Sequence, residues 1–391
     1  MALSAFLLSA AEATFYRQLH DQLGGPVQVL DCDAVRANYR QLCQALPGVE
    51  LHYALKPLPH EAVVATLLAE GASFDLASNG EVDLVASLGV PAARCIHSHP
   101  IKRQGDIDHA LAQGVSTFVV DNVHELAKFR PYGERVALLL RVSFPNPELK
   151  VDLSKKFGCL PEAVAPLLSL ARAWGIPMAG LSFHVGSQVK TAERHAQAIR
   201  TSLALIRQAR AEGHGLRVLD IGGGFPVSYH PGVKESQRPD LVSFCAPIRE
   251  ALAEAPADLR LIAEPGRCLV ANAVTLVTRV MGLSERQGLP WYYLDDGVYG
   301  SFNGLMFDDA AYPLYVEAKE GPWRASVLAG PTCDSIDVIS EGLLLPELNE
   351  GDLLVARMMG AYSWAAASEF NFFRRAQFFV VNGELPAVQV A

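Results

Sequence analysis

Lys56 closes a short apolar run in the segment LHYALKP, which covers 51–57. A run of this kind is typical of a buried strand and offers the amine no polar neighbour along its own length. A partly desolvated lysine at the end of a strand loses its proton readily and condenses with carbonyl groups. Lysine stems also commonly cover apolar surface, so other parts of the chain must decide between these interpretations.

Polar residues and glycines also follow the later apolar runs. In a closed parallel barrel the active site is built at the carboxyl ends of the strands, which is where these residues would lie. A set of purely structural loops is not expected to carry so many titratable groups. The residues are Asp75, Glu81, Arg141, His184, Ser187, Gly222, Gly223, Gly224, Glu264 and Arg267.

The segment DIGGGFP carries the clearest signal for phosphate binding. Three successive glycines expose backbone N–H groups without side chains in the way. Arg267, one strand later in AEPGR, could add a fork of charged donors to the same group. Taken alone, three glycines are more often a tight turn, and the spacing matches neither a Walker loop nor GxGxxG.

His184 and Glu264 suit an aromatic cofactor. His184, in FHVGSQ, could stack on a ring while Ser187 reaches a phosphate, although a core histidine is the simpler alternative. Glu264 could pair with a protonated ring nitrogen, which a lysine-linked pyridoxal needs if its ring is to accept electrons. An ion pair between Glu264 and Arg267 is the alternative. Together with Lys56 and the glycines, these residues favour a pyridoxal phosphate site.

A third group of residues lies towards the C-terminus. Cys333 and Asp334 are adjacent in GPTCDSID, Asp308 follows Phe307 in YGSFNGLMFDD, and Phe370 ends the run AAASEF. An inert buried cysteine and a solvated acidic surface are the ordinary interpretations of such residues. They would face a cofactor only if their domain closes on a barrel mouth, from the same chain or from a second subunit.

Strand-like and helical patterns alternate over the first two thirds of the chain. Eight such repeats over roughly 210 residues fit a closed (β/α)8 barrel, which typically has about 250 residues. A doubly wound open sheet is the alternative. The eight strand candidates cover 51–55, 73–76, 95–97, 117–120, 136–142, 179–184, 218–221 and 259–263.

Beyond Gly266 the alternation gives way to short β-rich runs separated by turn residues. These runs predict a second, all-β domain, which the strand-like segment 26–30 could join. The predicted domains are therefore a barrel over 31–267 and a discontinuous domain made of 1–30 and 268–391. The β-rich runs cover 274–280, 292–294, 323–328, 352–356 and 377–381.

The composition limits the classes of function. The chain has 391 residues and a net charge of -9, which argues against nucleic-acid binding and is compatible with a cationic small substrate. Its seven cysteines are scattered without a CxxC pair, which favours a reducing compartment over disulfides or a metal site. Neither a basic leader nor a bilayer-spanning stretch is visible, so we expect a cytoplasmic protein that binds no membrane.

Nine motifs, in order over nearly the whole chain, resemble the fold-type III pyridoxal-phosphate decarboxylases and, among them, the ornithine decarboxylase branch. The resemblance implies an alanine racemase-like architecture, with a (β/α)8 TIM-like barrel and a C-terminal β-sandwich or barrel domain. It also implies pyridoxal 5'-phosphate as cofactor and a homodimer whose active sites are shared between subunits. The motifs are HYALKP, FDLASNGE, SKKFG, FHVGSQ, DIGGGFP, AEPGR, DDGVYGSFNG, GPTCDSID and MGAYSWAAASEFN.

The same resemblance assigns roles around the cofactor. Lys56 would carry pyridoxal phosphate covalently, His184 would stack on its ring, and Glu264 would pair with the pyridine nitrogen. Supporting positions around the cofactor would be those of Asp75, Glu81 and Arg141. The phosphate would be held by Ser187, Gly223, Gly224, Arg267 and Tyr362.

Substrate roles follow from the C-terminal motifs. Cys333 matches the residue that returns a proton after carbon dioxide leaves, offered by the partner subunit. Asp308 and Asp334 match the carboxylates that bind the distal amine of a diamino acid, and Phe370 matches a wall of that pocket. Phe307, at the substrate end, stands where a tyrosine is usual.

The resemblance implies decarboxylation of a basic L-amino acid, ornithine and/or lysine, to the diamine, as in polyamine biosynthesis. The Cys-Asp pair favours a substrate with a bare distal ammonium, because related diaminopimelate decarboxylases carry Cys-Glu there. Phe307 and Phe372 leave open another amino acid, diaminopimelate-like or carrier-bound, in a specialised pathway. A non-catalytic regulator of the same family is a further alternative. Glu264 argues against a racemase, which places an arginine against the ring nitrogen.

Overall fold

This computed structural model describes residues 4–144, 155–229, 240–308 and 310–383. The chain divides into two compact units. We call them the barrel unit, made of Arg36–Val227 and Pro239–Cys268, and the sheet unit, made of Met1–Val35, Ser228–Arg238 and Leu269–Ala391.

The described residues form strands and α-helices that are numbered here in chain order. The strands are β1 (Phe6–Leu7), β2 (Val27–Asp31), β3 (Val49–Ala54), β4 (Ser73–Leu76), β5 (Cys95–His97), β6 (Thr117–Val120), β7 (Ala137–Val142), β8 (Met178–Phe183), β9 (Val218–Asp220), β10 (Arg260–Ala263), β11 (Val274–Arg286), β12 (Leu289–Leu294), β13 (Leu314–Val316), β14 (Arg324–Ala329), β15 (Val338–Leu345), β16 (Leu353–Ala356) and β17 (Gln377–Val381). The helices are α1 (Ala10–Leu23), α2 (Cys32–Ala45), α3 (Glu61–Ala69), α4 (Asn79–Ser87), α5 (Gln104–Ala112), α6 (Val123–Lys128), α7 (Val164–Ala173), α8 (Glu193–Ala211), α9 (Leu241–Phe244), α10 (Ala246–Leu252), α11 (Arg267–Val270) and α12 (Gly304–Phe307).

The barrel unit is a closed ring of eight parallel strands in the order β3 to β10, with β10 pairing both β9 and β3. All eight predicted strands are present in this ring, which confirms the (β/α)8 prediction against an open sheet. Strands of a parallel barrel are covered on both faces and therefore consist of continuous apolar runs. In β7, for example, Leu138, Leu139 and Leu140 are all buried.

Helices cover the barrel through one apolar face each. In α8 the buried positions recur every three or four residues, which is the spacing of one helix face. They are His195, Ala196, Ala198, Ile199, Ser202, Leu203, Ile206 and Ala209. Two of these buried residues are polar, His195 and Ser202, and the contacts of His195 are described below.

The described residues of the sheet unit form nine strands, with a path β1-β13-β16-β11-β12-β14-β15. The N-terminal strand β2 pairs with β11 antiparallel and with β17 parallel, so the segment that precedes the barrel does join the later sheet. Sequence patterns missed β1 and β13 because two or three residues are too few to show a period. They missed β15 because Glu341 and Gly342 interrupt its apolar run.

Helix α1 packs against this sheet. Ser9 and Glu12 form a capping box at its start, and Gly24, with φ of 69°, ends it in the left-handed conformation. Phe15 and Leu19 of α1 join Val277 and Val355 in one hydrophobic core. The unit is therefore mainly, and not purely, β. Among the described helices, none is both long and apolar enough to cross a bilayer.

Candidate active site

Lys56 lies on a tight turn that begins where β3 ends. The turn is closed by hydrogen bonds from the Leu58 N–H to the Leu55 oxygen and from the Tyr53 hydroxyl to the Leu58 oxygen. It is tied to the end of β10 by the Ala54 N–H, which donates to the Pro265 oxygen at 3.0 Å. Lys56 itself is exposed, so the expected partial desolvation is wrong for this chain. The turn carries the side chain beyond Leu55, the last fully buried residue of the run.

Three acidic side chains lie within the electrostatic range of Lys56. Burial, followed by the charge of Glu264, raises the pKa of Asp75 well above its usual value, while Lys56 lowers it. Burial also raises the pKa of Glu81, whose Oε2 atom accepts a hydrogen bond from the Ala77 N–H at 2.6 Å. Lys56 opposes the raised pKa of Glu264 as well. An amine near several buried carboxyl groups is a frequent feature of functional sites.

Glu264 forms a pair with Asp220, the last residue of β9. Both side chains are buried, and burial raises the pKa of Asp220 to about 7. Burial and the Asp220 carboxyl raise the pKa of Glu264 well above its usual value. Two buried carboxyl groups that act on each other resist being ionised together, so this pair retains a proton at a higher pH than isolated carboxyl groups do. The sequence reasoning missed Asp220, although it directly precedes the glycines at a strand end.

The three glycines occupy positions that admit no side chain. A Cβ atom on Gly222 would lie 2.2 Å from the Phe183 oxygen, one on Gly223 2.5 Å from the Glu264 oxygen, and one on Gly224 2.3 Å from the Gly186 oxygen. The loop is thus wedged between the ends of β8 and β10. Within the described chain, the N–H groups of Gly223 and Gly224 donate to no protein acceptor. Two adjacent free amides of this kind suit an anion.

His184 lies beside this loop, with Nε2 3.3 Å from the Cβ position of Gly223. Its Nδ1 atom accepts a hydrogen bond from the Gly186 N–H at 3.0 Å, so the ring proton is assigned to Nε2. Burial, then the charges of Lys56 and Arg141, lower the pKa of His184 well below its usual value. The imidazole is therefore neutral at physiological pH.

Arg267 and Ser187 lie together near the same loop. Arg267 is buried at the start of α11, and its guanidinium donates to the Ser187 hydroxyl at 3.4 Å. Arg141 lies on β7 with its guanidinium 5.7 Å from the centre of the Phe157 ring, and its charge also acts on Glu264. The barrel unit thus brings together all of its predicted site residues. We call Lys56, Asp75, Glu81, Arg141, His184, Ser187, Asp220, Gly222–Gly224, Glu264 and Arg267 the barrel-mouth set.

The sheet unit contains a second group, which we call the thiol cluster and which comprises Tyr299, Cys333, Asp334, Phe370 and Asn371. The Cys333 N–H donates to Asn371 Oδ1 at 3.1 Å, and the Tyr299 hydroxyl donates to Asp334 at 2.5 Å. Tyr299 stacks on Phe370 at 4.5 Å between ring centres. The hydrogen bond from Tyr299, then that from the Ile336 N–H, lower the pKa of Asp334. Tyr299 and Asn371 are further members that sequence reasoning missed.

The loop that presents Cys333 is wrapped around a buried carboxylate. Asp337 accepts hydrogen bonds from the N–H groups of Val298 and Thr332 at 2.8 and 3.0 Å, and it is 2% exposed. All seven cysteines lie in the described chain and none forms a disulfide, and Cys333 alone among them is exposed. Its accessibility matches the expected chemical role better than the alternative of an inert buried thiol.

The other predicted residues of the sheet unit lie outside the thiol cluster. Phe307 ends α12 and is 65% exposed, and Asp308 caps that helix, its N–H donating to the Gly304 oxygen. Tyr362 has a positive φ of 67° and its carbonyl accepts from the Ala366 N–H. Within the described chain no hydrogen bond, ion pair or ring contact joins these three to Cys333, so their predicted substrate and phosphate roles stay predictions.

The barrel-mouth set fits pyridoxal phosphate on three observations. A lysine amine lies among carboxyl groups, two adjacent backbone amides are free next to an arginine and a serine, and a protonated carboxyl pair faces the same loop. An amine can condense with an aldehyde, amides and a guanidinium can hold a phosphate, and a carboxyl group can pair with a ring nitrogen. Fold and site together define a pyridoxal-phosphate enzyme of the barrel type.

Comparison with known proteins gives the family. Residues 32–271 match the family described as pyridoxal-dependent decarboxylase, pyridoxal binding domain, and this chain belongs to that family. It is therefore a decarboxylase whose cofactor is pyridoxal 5'-phosphate.

Full-length relatives extend the match beyond the barrel. The chain is 34% identical over 368 residues to lysine/ornithine decarboxylase of Selenomonas ruminantium, covering 94% of this chain and 92% of that protein. It is 35% identical over 370 residues to mouse (Mus musculus) ornithine decarboxylase, covering 90% and 80%. The crystal structure of lysine/ornithine decarboxylase from Vibrio vulnificus complexed with cadaverine has 54% identity and a TM-score of 0.90, covering 96% and 100%. The fold-type III decarboxylase expectation is confirmed.

Proposed function

We propose that this decarboxylase removes the α-carboxyl group of ornithine and lysine and releases the corresponding diamine with carbon dioxide. The observation that carries the proposal is the Asp334 carboxylate beside Cys333. Hydrogen bonds from Tyr299 and from the Ile336 N–H lower its pKa, so it stays charged and can bind a distal ammonium group. The Vibrio vulnificus relative is complexed with cadaverine, the diamine that lysine becomes on losing its carboxyl group, which supports this substrate class.

The barrel-mouth set would bind the cofactor and orient the reaction. When bound, pyridoxal phosphate supplies the electron sink for the bond that breaks as the carboxyl group leaves. Lys56 offers the amine for covalent attachment, while Gly223, Gly224 and Arg267 offer donors to the phosphate. Glu264 can give the proton that it shares with Asp220 to the pyridine nitrogen and then carry the opposing negative charge. The neutral ring of His184 can cover the cofactor without adding positive charge.

Cys333 would return a proton to the substrate carbon, with Asp308, Phe307 and Phe370 shaping the pocket for the substrate's far end. The exposure of Cys333 supports this role, because a proton donor must reach the reacting atom. We further propose that Cys333 and Asp334 act at the cofactor of a second copy in a homodimer. Such a C2 pair would complete two identical sites.

A substrate panel tests the reaction. The purified protein loaded with pyridoxal phosphate is incubated with ornithine, lysine, arginine or diaminopimelate, and released carbon dioxide is measured. We expect release from ornithine and lysine at least about tenfold faster than from the others, because one misplaced charged group costs at least that much. Release from arginine or diaminopimelate alone would contradict the substrate assignment. A protein that binds the cofactor and releases no carbon dioxide would contradict the whole proposal.

Complementation tests the shared site. K56A and C333A are each expected to be nearly inactive, but in an equimolar mixture random pairing makes half of the dimers mixed, with one intact site each. Activity should then recover to about a quarter of the wild-type level. A mixture no more active than its components would exclude sites shared between subunits.

We also propose a cytoplasmic location and a role in polyamine biosynthesis. The support for the location is the absence of disulfides among seven cysteines, all within the described chain. Cell fractionation tests it, and recovery with a membrane or secreted fraction would contradict it. Deletion of the gene should lower cellular diamine levels, and unchanged levels would argue against the pathway.

A further inference from the structure

The carbonyl groups of the three glycines are held by three different elements. The Gly222 oxygen accepts from the Glu264 N–H at 2.8 Å, and the Gly224 oxygen accepts from the Val189 N–H at 3.1 Å. The Gly223 oxygen lies 2.9 Å from Nε2 of His195 in α8. Two of the three contacts are backbone to backbone and do not depend on side-chain identity. The third depends on a single side chain.

His195 is built into the barrel wall in a fixed position. It is fully buried, and its ring stacks on Phe225 at 5.5 Å between centres with an interplanar angle of 20°. Phe244 meets the same ring edge-on at 6.4 Å. Aromatic pairs in these geometries restrict the rotation of a ring. The Nε2 atom is therefore held towards the glycine loop.

The hydrogen bond has a defined direction. Burial lowers the pKa of His195 to about 4, so the ring is neutral at physiological pH. A carbonyl oxygen can only accept, so Nε2 carries the single ring proton and donates it to Gly223. Nδ1 is buried and has no hydrogen-bond partner in the described chain. Because the ring stays neutral at physiological pH, its protonation does not interfere with this hydrogen bond.

Because the peptide group is planar, the hydrogen bond to the Gly223 oxygen also fixes the direction of the Gly224 N–H. In a trans peptide the carbonyl of one residue and the N–H of the next point in opposite directions. Holding the Gly223 oxygen towards α8 therefore turns the Gly224 N–H away from α8. A Gly-Gly peptide flips more readily than others because both residues adopt positive and negative φ angles. The hydrogen bond from His195 to the Gly223 oxygen opposes that flip.

We propose that His195 is a positioning residue for the cofactor's phosphate, which it serves by fixing the Gly223–Gly224 peptide so that the Gly224 N–H faces the anion. The inference rests on the proposed assignment of the glycine loop to the phosphate. It does not depend on which amino acid is decarboxylated, because its test contains no substrate.

The test compares two ligands that differ only in the phosphate group. Protein freed of cofactor is titrated with pyridoxal 5'-phosphate and with pyridoxal, and both dissociation constants are measured from absorbance. H195F keeps an aromatic ring against Phe225 and loses the donor. We expect it to weaken pyridoxal phosphate binding by about 3- to 10-fold, the effect of one hydrogen bond, and pyridoxal binding by less than about 2-fold.

Two further variants make the result specific. H195Q retains an N–H donor and should recover most of the preference for the phosphorylated ligand. H97F replaces another buried barrel histidine, whose ring lies against Phe118 on β5's side of the barrel, and this variant should bind both ligands as the wild type does. If H195F does not fold, as judged by circular dichroism, H195L takes its place.

Three outcomes would overturn the inference. H195F could weaken the binding of both ligands equally, or it could leave both dissociation constants unchanged. In each case the phosphate is not positioned through this histidine. The wild type could bind pyridoxal as tightly as pyridoxal phosphate. That result would contradict phosphate binding by the glycine loop and, with it, the role of His195. Failure of the ornithine and lysine assignment would instead show only in the carbon dioxide panel.

Discussion

The barrel-mouth set and the thiol cluster hold their reactive groups in different ways. At the barrel mouth, Asp75, Asp220 and Glu264 are buried, and burial raises the pKa of each. In the thiol cluster, Cys333 is exposed, and Asp334 has its pKa lowered by hydrogen bonds, with no net rise from burial. Lys56 is the exception at the barrel mouth, because it is exposed while its charge acts on the buried acids.

This difference separates two tasks. Buried carboxyl groups keep protons that surface groups release, so the barrel mouth can control the charge on a cofactor ring. An exposed thiol and an ionised carboxylate can meet a diffusing, positively charged substrate. We therefore expect changes at the barrel mouth to alter cofactor binding and stability, and changes in the thiol cluster to alter turnover and substrate affinity.

The largest expected effect comes from Lys56. K56A should lower carbon dioxide release by about 10⁴-fold or more, because the amine that attaches the cofactor is gone. Visible absorbance of the bound cofactor should be lost with it. K190A, which removes another exposed lysine, serves as control and should keep wild-type turnover. Substantial turnover in K56A would remove the central assignment at the barrel mouth.

The next effect concerns Cys333. C333A should lower turnover by about 10²- to 10⁴-fold, the usual contribution of a proton-transferring group. Cofactor absorbance and thermal stability should stay unchanged, since the thiol is exposed. C43A, at a partly buried cysteine of α2, is the matched control and should turn over normally. Loss of cofactor from C333A would mean that the two regions do not divide the work as proposed.

A smaller effect is expected at Asp334. D334N removes the charge that would bind a distal ammonium group, and KM for ornithine and lysine should rise by roughly 10- to 100-fold. Y299F removes the hydrogen bond to Asp334 and leaves the carboxylate and the ring on Phe370 in place, so its KM should change only a few-fold. Equal changes in the two variants would indicate a structural role for Asp334, with no direct contact to substrate.

The smallest expected effect is a pH-dependent change in the melting temperature when Asp220 is replaced. The pKa of Asp220 is about 7 in the folded chain against 3.8 as its ordinary value, so between these values the folded state holds a proton that the unfolded chain has lost. Stability from this group is complete below about pH 4 and is lost as pH rises towards 7. Asn cannot titrate, so the melting temperature of D220N relative to wild type should rise by roughly 2–4 °C from pH 5 to pH 8.

Asp258 provides the control for that measurement. Its pKa is lowered by the hydrogen bond from Arg210, so it stays ionised from pH 5 to pH 8. The melting temperature of D258N relative to wild type should therefore be constant over this range, with both proteins measured free of cofactor. A constant difference for D220N as well would show that Asp220 does not keep a proton in the folded chain.

The sequence by itself determined the order and type of the barrel elements. Each apolar run of three to seven residues and each helical period is a local pattern, and the eight strands lie where those patterns predicted them. The positions of Lys56, Glu264 and the three glycines also followed, because strand ends are set by the same patterns. The short strands β1 and β13 were out of reach, since they form only by pairing with partners far along the chain.

Tertiary structure alone decided how far the side chains of the site are buried and how their pKa values are shifted. Asp220 and Glu264 are 44 positions apart in the numbering of the chain (264 − 220), and only closure of the barrel buries them together and raises the pKa of both. His195 carries no strand-end signal, and its hydrogen bond to Gly223 exists because α8 packs against the barrel. For Lys56 the sequence led to the opposite error. Its amine was expected to be partly desolvated, but the turn after β3 leaves it exposed. Burial and charge depend on neighbours brought from distant positions, and a local pattern contains no information about them.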